Sequence, residues 1–144
     1  MGCFIEVMVF YLFYSLIRQN SGGFHCKTYL GCLTLSLLTV FLIILLGKNG
    51  LSIRCQGGVI LSGIFVICVG AVNCPNIDWN SYEYKIANIR TRIVTVIELV
   101  VIYVLRLLGM PSKYLYFAGA GIVLSAISLL VEIIKQKGGH EHEE

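Results

Sequence analysis

The 144-residue chain is 57% hydrophobic and only 13% charged, with a net charge of +3. Its mean hydropathy is +0.83. Soluble domains carry roughly 25% charged residues, so a soluble globular domain would leave much of this apolar surface facing water. The composition therefore predicts a protein that resides in the lipid bilayer of the cell membrane, and we expect no nucleic-acid partner.

Five apolar stretches separated by polar joints follow along the chain, at about 3–17, 29–46, 57–73, 93–109 and 114–134. A helix needs about 20 residues to cross a bilayer, so the shorter stretches would borrow flanking residues. No segment has the apolar–polar alternation of a membrane barrel strand. The pattern predicts an all-α, polytopic integral membrane helical bundle with about five transmembrane segments.

The polar joints define the predicted domain organisation. Residues 47–50 and 110–113 are short turns that contain glycine or proline, whereas 74–92 is a longer polar loop. Residues 135–144 are charged, and we expect a disordered tail there. The remainder, 1–134, is predicted to form a single transmembrane domain.

The distribution of lysine and arginine predicts the orientation, because cytoplasmic loops carry the excess of both. One side of the predicted membrane holds seven of them: Arg18, Lys27, Lys85, Arg90, Arg92, Lys135 and Lys137. The other side holds four: Lys48, Arg54, Arg106 and Lys113. The loop around His25 is therefore predicted to be cytoplasmic. The N-terminus would then lie outside, and since no signal-peptide pattern precedes it, we expect that an upstream helix is missing.

The six cysteines form no C-x-x-C pair, and two of the three histidines lie in the charged tail. Zinc sites need clustered Cys and His ligands. We therefore expect no metal and no cofactor.

The most distinctive chemical feature is a histidine followed seven residues later by a cysteine, His25 and Cys32. A neighbouring imidazole can take the thiol proton or stabilise the thiolate. Gly22 and Gly23 allow a sharp turn or a close approach to a bound peptide. Arg18 and Lys27 add positive potential, which lowers a thiol pKa.

The seven-residue spacing constrains any His25–Cys32 pair. On one straight helix the two residues share a face, but their Cα atoms lie about 10.5 Å apart, which is long for direct contact. We therefore expect His25 in a glycine-bearing segment that precedes the helix and folds back toward Cys32. Taken alone, the residues also fit an interfacial histidine and a buried cysteine without catalytic function.

Lys85, Arg90 and Arg92 form a basic group on the predicted cytoplasmic side. They fit either of two functions: anchors beside anionic lipid, or a docking site for an acidic peptide segment.

The string of Arg18, Gly22-Gly23, His25 and Cys32 between two apolar stretches resembles the accessory gene regulator protein B (AgrB) family. A second similarity is Cys74-Pro75-Asn76, which opens a polar loop with basic residues. The resemblance covers roughly residues 10–135. The family's further amphipathic stretch and first span have no counterpart here, so the resemblance implies a shortened form.

The resemblance implies a membrane cysteine endopeptidase of peptide quorum sensing. His25 and Cys32 would be catalytic, and Arg18, Gly22, Gly23, Lys27, Lys85, Arg90 and Arg92 would bind substrate or support the site. The implied partner is an AgrD-like pro-peptide, which the enzyme would cleave and help to cyclise into an autoinducing peptide. The sequence is also compatible with a homo-oligomer.

Two other functions remain open from the sequence. A membrane thiol-redox protein would use a reversible disulfide, with Cys26 and Cys32 or Cys55 and Cys74 as the candidate pairs. A truncated, non-catalytic membrane protein would retain the helices without the activity.

Overall fold

The computed structural model describes residues 4–22, 29–48, 56–73 and 79–140. This part of the chain is all-α, with no strand beyond an isolated bridge pair. The helices are α1 (Phe4–Ser21), α2 (Tyr29–Lys48), α3 (Gln56–Val69), α4 (Ser81–Leu107) and α5 (Ser112–His140). The all-α prediction is confirmed for these residues.

Local sequence signals define several helix ends. Asn80 and Glu83 form a capping box at the start of α4, which satisfies backbone N–H groups that a helix start leaves unpaired. At its other end, Gly109 donates to the carbonyl of Arg106 and Met110 to that of Leu105, each at 3.1 Å. This is a Schellman arrangement. Pro111 follows and separates α4 from α5.

Helix α5 is the centre of the bundle and packs against all four other helices. The first turns of α1 and α5 meet in an ion pair between Glu6 and Lys113, at 2.9 Å, so these helices run parallel. Helix α3 runs the same way, because Val59 near its start packs against Gly119. Helix α4 runs in the opposite direction, from Asn88 beside Gly70 to Leu99 beside Gly63.

Two apolar clusters form the core. The larger one joins α1, α3 and α5 and the segment after α3, through Ile17, Val66, Val72, Ile122, Ala126 and Leu129. The smaller one joins α1, α2 and α5 through Phe10, Ile43 and Phe117. Small residues allow close helix contacts in between, since a Cβ at Gly119 would lie 2.6 Å from Val59 Cγ2.

Much of the apolar surface remains exposed, above all on α2 and α4, where Leu38, Phe41, Ile97 and Val100 are each more than half exposed. Judged by length and apolar composition, one helix of the described chain, over Ser112–Lys137, could cross a membrane. Ser36–Gly47 and Gly57–Val69 are shorter apolar helices. The five membrane spans and their boundaries remain predictions.

The helices differ most from the predicted stretches at two places. Helix α4 begins at Ser81, so most of the polar joint predicted over 74–92 is helical, because the capping box starts a helix whose first turns are polar. Helix α5 continues to His140 and thus includes residues 135–140, for which the sequence predicts a disordered tail.

Candidate active site

Of the two proposed catalytic residues, Cys32 lies in the first turns of α2, whereas His25 lies outside the described residues, as do Gly23 and Lys27. The backbone of α2 is described at Cys32, but its side chain is not. The site is therefore defined by the elements that lead to it.

The level of Cys32 along the bundle follows from helix geometry. Ile43 and Phe10 belong to the same apolar cluster, with Phe117, and Cys32 lies eleven residues before Ile43. Ser21 lies eleven residues after Phe10. Eleven helical residues span about 16 Å, so Cys32 and Ser21 each lie about that far along their helix from the cluster. Gly47, near the end of α2, packs against Tyr116 near the start of α5. The start of α2 therefore points toward the end of the bundle where α1 finishes.

We call this end the glycine end, because Gly22 and Gly70 both lie there with left-handed backbones, at φ values of 68° and 72°. They terminate α1 and α3. At Gly22 the Arg18 guanidinium donates a hydrogen bond to the Gly22 carbonyl. Arg18 thereby provides a hydrogen bond to the backbone of the first residue after α1.

Gly22 also lies directly against the segment that follows α3. Gly22 and Val72 form a parallel bridge pair, and the Val72 N–H donates to the Ser21 carbonyl at 2.9 Å. A Cβ on Gly22 would overlap the Val72 carbonyl oxygen, and Trp79 Cη2 would lie 3.3 Å from it. Only glycine combines this backbone conformation with this approach.

Asn73 connects three elements around that contact. Its Oδ1 accepts from the Trp79 N–H at 3.1 Å, and its Nδ2 donates to the Trp79 carbonyl at 3.3 Å. Its own carbonyl accepts from Gln136 Nε2 of α5 at 2.7 Å. The residues on either side of 74–78 are thereby fixed to each other and to α5.

Helix α4 reaches the glycine end through Asn88 and Arg92. Asn88 Oδ1 accepts from the Ala71 N–H at 3.4 Å, and Arg92 Nε lies 3.3 Å from the position of a Cβ on Gly70. Lys85 and Arg90 are exposed on the same helix. The structure thus brings Arg18, Gly22 and Arg92 to one end of the bundle, with Lys85 and Arg90 on the surface nearby.

Two buried oxygens at this end have no hydrogen-bond partner within the described residues, Ser21 Oγ and Glu132 Oε2. Glu132 is only 1% exposed, and its Oε1 lies 3.5 Å from the same Gln136 Nε2 that bonds Asn73. Lys135 Nζ lies 3.8 Å from Glu132 Oε2. The glycine end therefore contains buried oxygen atoms that can accept further hydrogen bonds, and basic side chains lie near it.

Sequence reasoning missed Asn73, Trp79, Asn88 and Gln136. Asn73 and Trp79 flank the Cys74-Pro75-Asn76 motif, and the only tryptophan of the chain in a polar joint was a usable signal. Asn88 and Gln136 lie inside helices and carry no pattern that distinguishes them from solvent-facing polar residues. Over the described ranges, no three His, Cys, Asp or Glu residues cluster so that they could hold a metal.

Comparison with known proteins gives one family. The model of the family Accessory gene regulator B matches residues 1–131. No curated protein and no solved structure matches the chain significantly.

Proposed function

The chain belongs to the accessory gene regulator B family, and we propose that it is a membrane cysteine endopeptidase that cleaves a short pro-peptide and helps to cyclise it. The family is membrane-associated, and it processes AgrD pro-peptides in quorum sensing. What carries the proposal for this chain is the His25–Cys32 spacing within a family match that covers both residues.

Cys32 is the nucleophile of the proposed reaction and His25 its general base. The imidazole takes the thiol proton, the thiolate attacks a peptide carbonyl, and the imidazolium returns the proton to the departing amine. The products are a thioester on Cys32 and a released C-terminal segment. A thiol or hydroxyl within the bound peptide then attacks the thioester, which frees Cys32 and closes a thiolactone or lactone ring.

The contacts at the glycine end support this assignment. Gly22 lies three residues before His25, and it is held against Val72, two residues before Cys74. The two segments that carry the family resemblance are therefore joined by one backbone contact, between Gly22 and Val72.

The basic residues fit a role in substrate binding. Arg92 lies beside Gly70, and Lys85 and Arg90 are exposed on the helix that carries it. An acidic C-terminal segment of a pro-peptide would find complementary charge here. We propose that this end faces the cytoplasm and that the five predicted spans, at about 3–17, 29–46, 57–73, 93–109 and 114–134, cross the membrane.

The test is co-expression with the cognate pro-peptide and mass spectrometry of the products. Cys32→Ala and His25→Ala should each abolish release of the C-terminal segment. Cys68→Ala is the matched control, because Cys68 is exposed on α3, and it should process normally. Processing that survives both site substitutions would overturn the proposal.

Alkylation of the co-expressed protein with and without reductant separates the two other functions. A redox protein would show an alkylation mass shift that depends on reductant and would leave the pro-peptide intact. A non-catalytic protein would leave the pro-peptide intact without any such shift.

A further inference from the structure

Glu98 is a buried acid in the middle of the bundle that the proposed peptidase reaction does not use. It lies in α4 and is 3% exposed. Its neighbour Leu99 packs against Gly63, halfway along α3, so Glu98 lies well inside both ends of the bundle. Ionisable side chains are costly in the interior of membrane proteins and usually have a function there.

The other helices carry no charge in their central parts. These parts lack Asp, Glu, His, Lys and Arg altogether: 7–17 of α1, 30–47 of α2, 56–69 of α3 and 114–131 of α5. On α4 itself, the nearest charged residues are Arg92 and Arg106, which are exposed and lie about 9 and 12 Å from Glu98 along the helix axis. A carboxylate at Glu98 would therefore have no counter-charge beside it among the described residues.

The hydrogen bonds around Glu98 also disfavour a carboxylate. Neither of its carboxyl oxygens has a partner among the described residues. Thr91 and Thr95 are buried on the same face of α4, but Thr91 donates to the Ala87 carbonyl and Thr95 to the Thr91 carbonyl, each at 2.8 Å. A carboxylate can only accept hydrogen bonds, whereas a protonated carboxyl group is itself a donor and the threonine oxygens can still accept.

We propose that Glu98 is a proton-binding site at the centre of the helix bundle and that it holds its proton at neutral pH. An isolated carboxylate in an apolar interior costs far more free energy than the neutral acid, so a buried acid without a partner takes up a proton. A divalent cation is disfavoured as the ligand because it needs several oxygen ligands, and the central parts of the described helices supply one acid. The site depends on the packed helices alone and is independent of the peptidase reaction.

Infrared spectroscopy of the full chain in lipid vesicles at neutral pH tests this directly, because the C=O stretching band of a protonated carboxyl group lies apart from the two carboxylate bands. Wild type minus Glu98→Gln should contain the protonated band. Glu6→Gln is the matched control, since Glu6 is also buried but accepts a hydrogen bond from Lys113 at 2.9 Å. That variant should lose carboxylate bands and keep the protonated band. Loss of carboxylate bands in Glu98→Gln would overturn the proposal and would indicate a bound cation.

The pH dependence of unfolding gives a second measurement. Glutamate is ionised in an unfolded chain above about pH 4.3, so unfolding near neutral pH would release the proton of Glu98, and stability would fall as the pH rises. Between about pH 6 and 7, the unfolding constant of the wild type relative to that of Glu98→Gln should increase about tenfold. The contributions of other groups, including Lys113, cancel in this ratio. A ratio that does not change with pH would overturn the proposal.

Discussion

Gly22 and Val72 lie backbone to backbone at the glycine end, with the Val72 N–H bonded to the Ser21 carbonyl at 2.9 Å. The residues are fifty positions apart in the sequence, yet this contact joins the stretch that leads to His25 with the stretch that leads to Cys74. Because Gly22 has a left-handed backbone and no space for a Cβ, the contact depends on the absence of a side chain.

Gly22→Ala should destabilise the protein by about 1–3 kcal/mol, because alanine would be strained at this φ and its Cβ would meet the Val72 carbonyl. We expect a lower thermal midpoint in detergent and slower pro-peptide processing. Gly58→Ala is the control, since Gly58 is helical and a Cβ there meets nothing within 4 Å; it should leave both quantities nearly unchanged. Similar effects for the two variants would show that the Gly22–Val72 contact is not needed.

Asn73→Ala should loosen the Trp79 segment, because it removes both hydrogen bonds to the Trp79 backbone. Trp79 is the only tryptophan, so intrinsic fluorescence reports on it directly. We expect a red-shifted emission maximum and a loss of about 1 kcal/mol for these bonds. Asn20→Ala is the control, because the Asn20 side chain donates to the Leu16 carbonyl within α1. An identical emission shift in that variant would contradict the assignment.

The Glu6–Lys113 pair should make stability depend on pH in the alkaline range. The hydrogen bond to Glu6 raises the pKa of Lys113. A group whose pKa is higher in the folded state stabilises the fold fully below its unfolded pKa and loses that contribution as the pH rises through the folded value. Thermal midpoints of the wild type should therefore fall at high pH more than those of Lys113→Gln. Parallel pH curves for the two proteins would exclude this contribution.

Glu98→Leu should stabilise the fold. Glu98 is 3% exposed, and neither carboxyl oxygen has a hydrogen-bond partner among the described residues. An unsatisfied buried polar group costs about 1–3 kcal/mol, which an apolar side chain of similar size recovers. Denaturation in detergent measures the change, with Ile97→Leu on the exposed side of α4 as control. A lower stability of Glu98→Leu would indicate that the carboxyl group has a partner in the membrane.

The sequence predicted the features that depend on local chemistry. Apolar runs predicted the helices, and the turn at 110–113 with Pro111 predicted where α4 ends and α5 begins. The capping box of Asn80 and Glu83 was also readable, but the many charges of 81–92 suggested a loop. A helix whose first turns project beyond the apolar core is compatible with such charges.

For the candidate site, the sequence predicted the residue types but not the contacts between them. The His25–Cys32 spacing and the family resemblance named the proposed catalytic pair, but no local pattern indicates that Gly22 contacts Val72 or that the Gln136 side chain donates to the Asn73 carbonyl. These contacts depend on how α1, α3 and α5 pack, and they join residues far apart in the chain. Burial of Glu132 has the same origin, since α5 is apolar on more than one face.

The central claim is that Cys32 forms a thioester with the pro-peptide, and intact-mass spectrometry of the acid-quenched chain after mixing with pro-peptide tests it most directly. The account predicts an adduct with the mass of the N-terminal product, located on Cys32 by digestion, removed by hydroxylamine, absent in Cys32→Ala and retained in Cys68→Ala. An adduct that persists in Cys32→Ala, or processing in the wild type without any hydroxylamine-sensitive adduct, would contradict it.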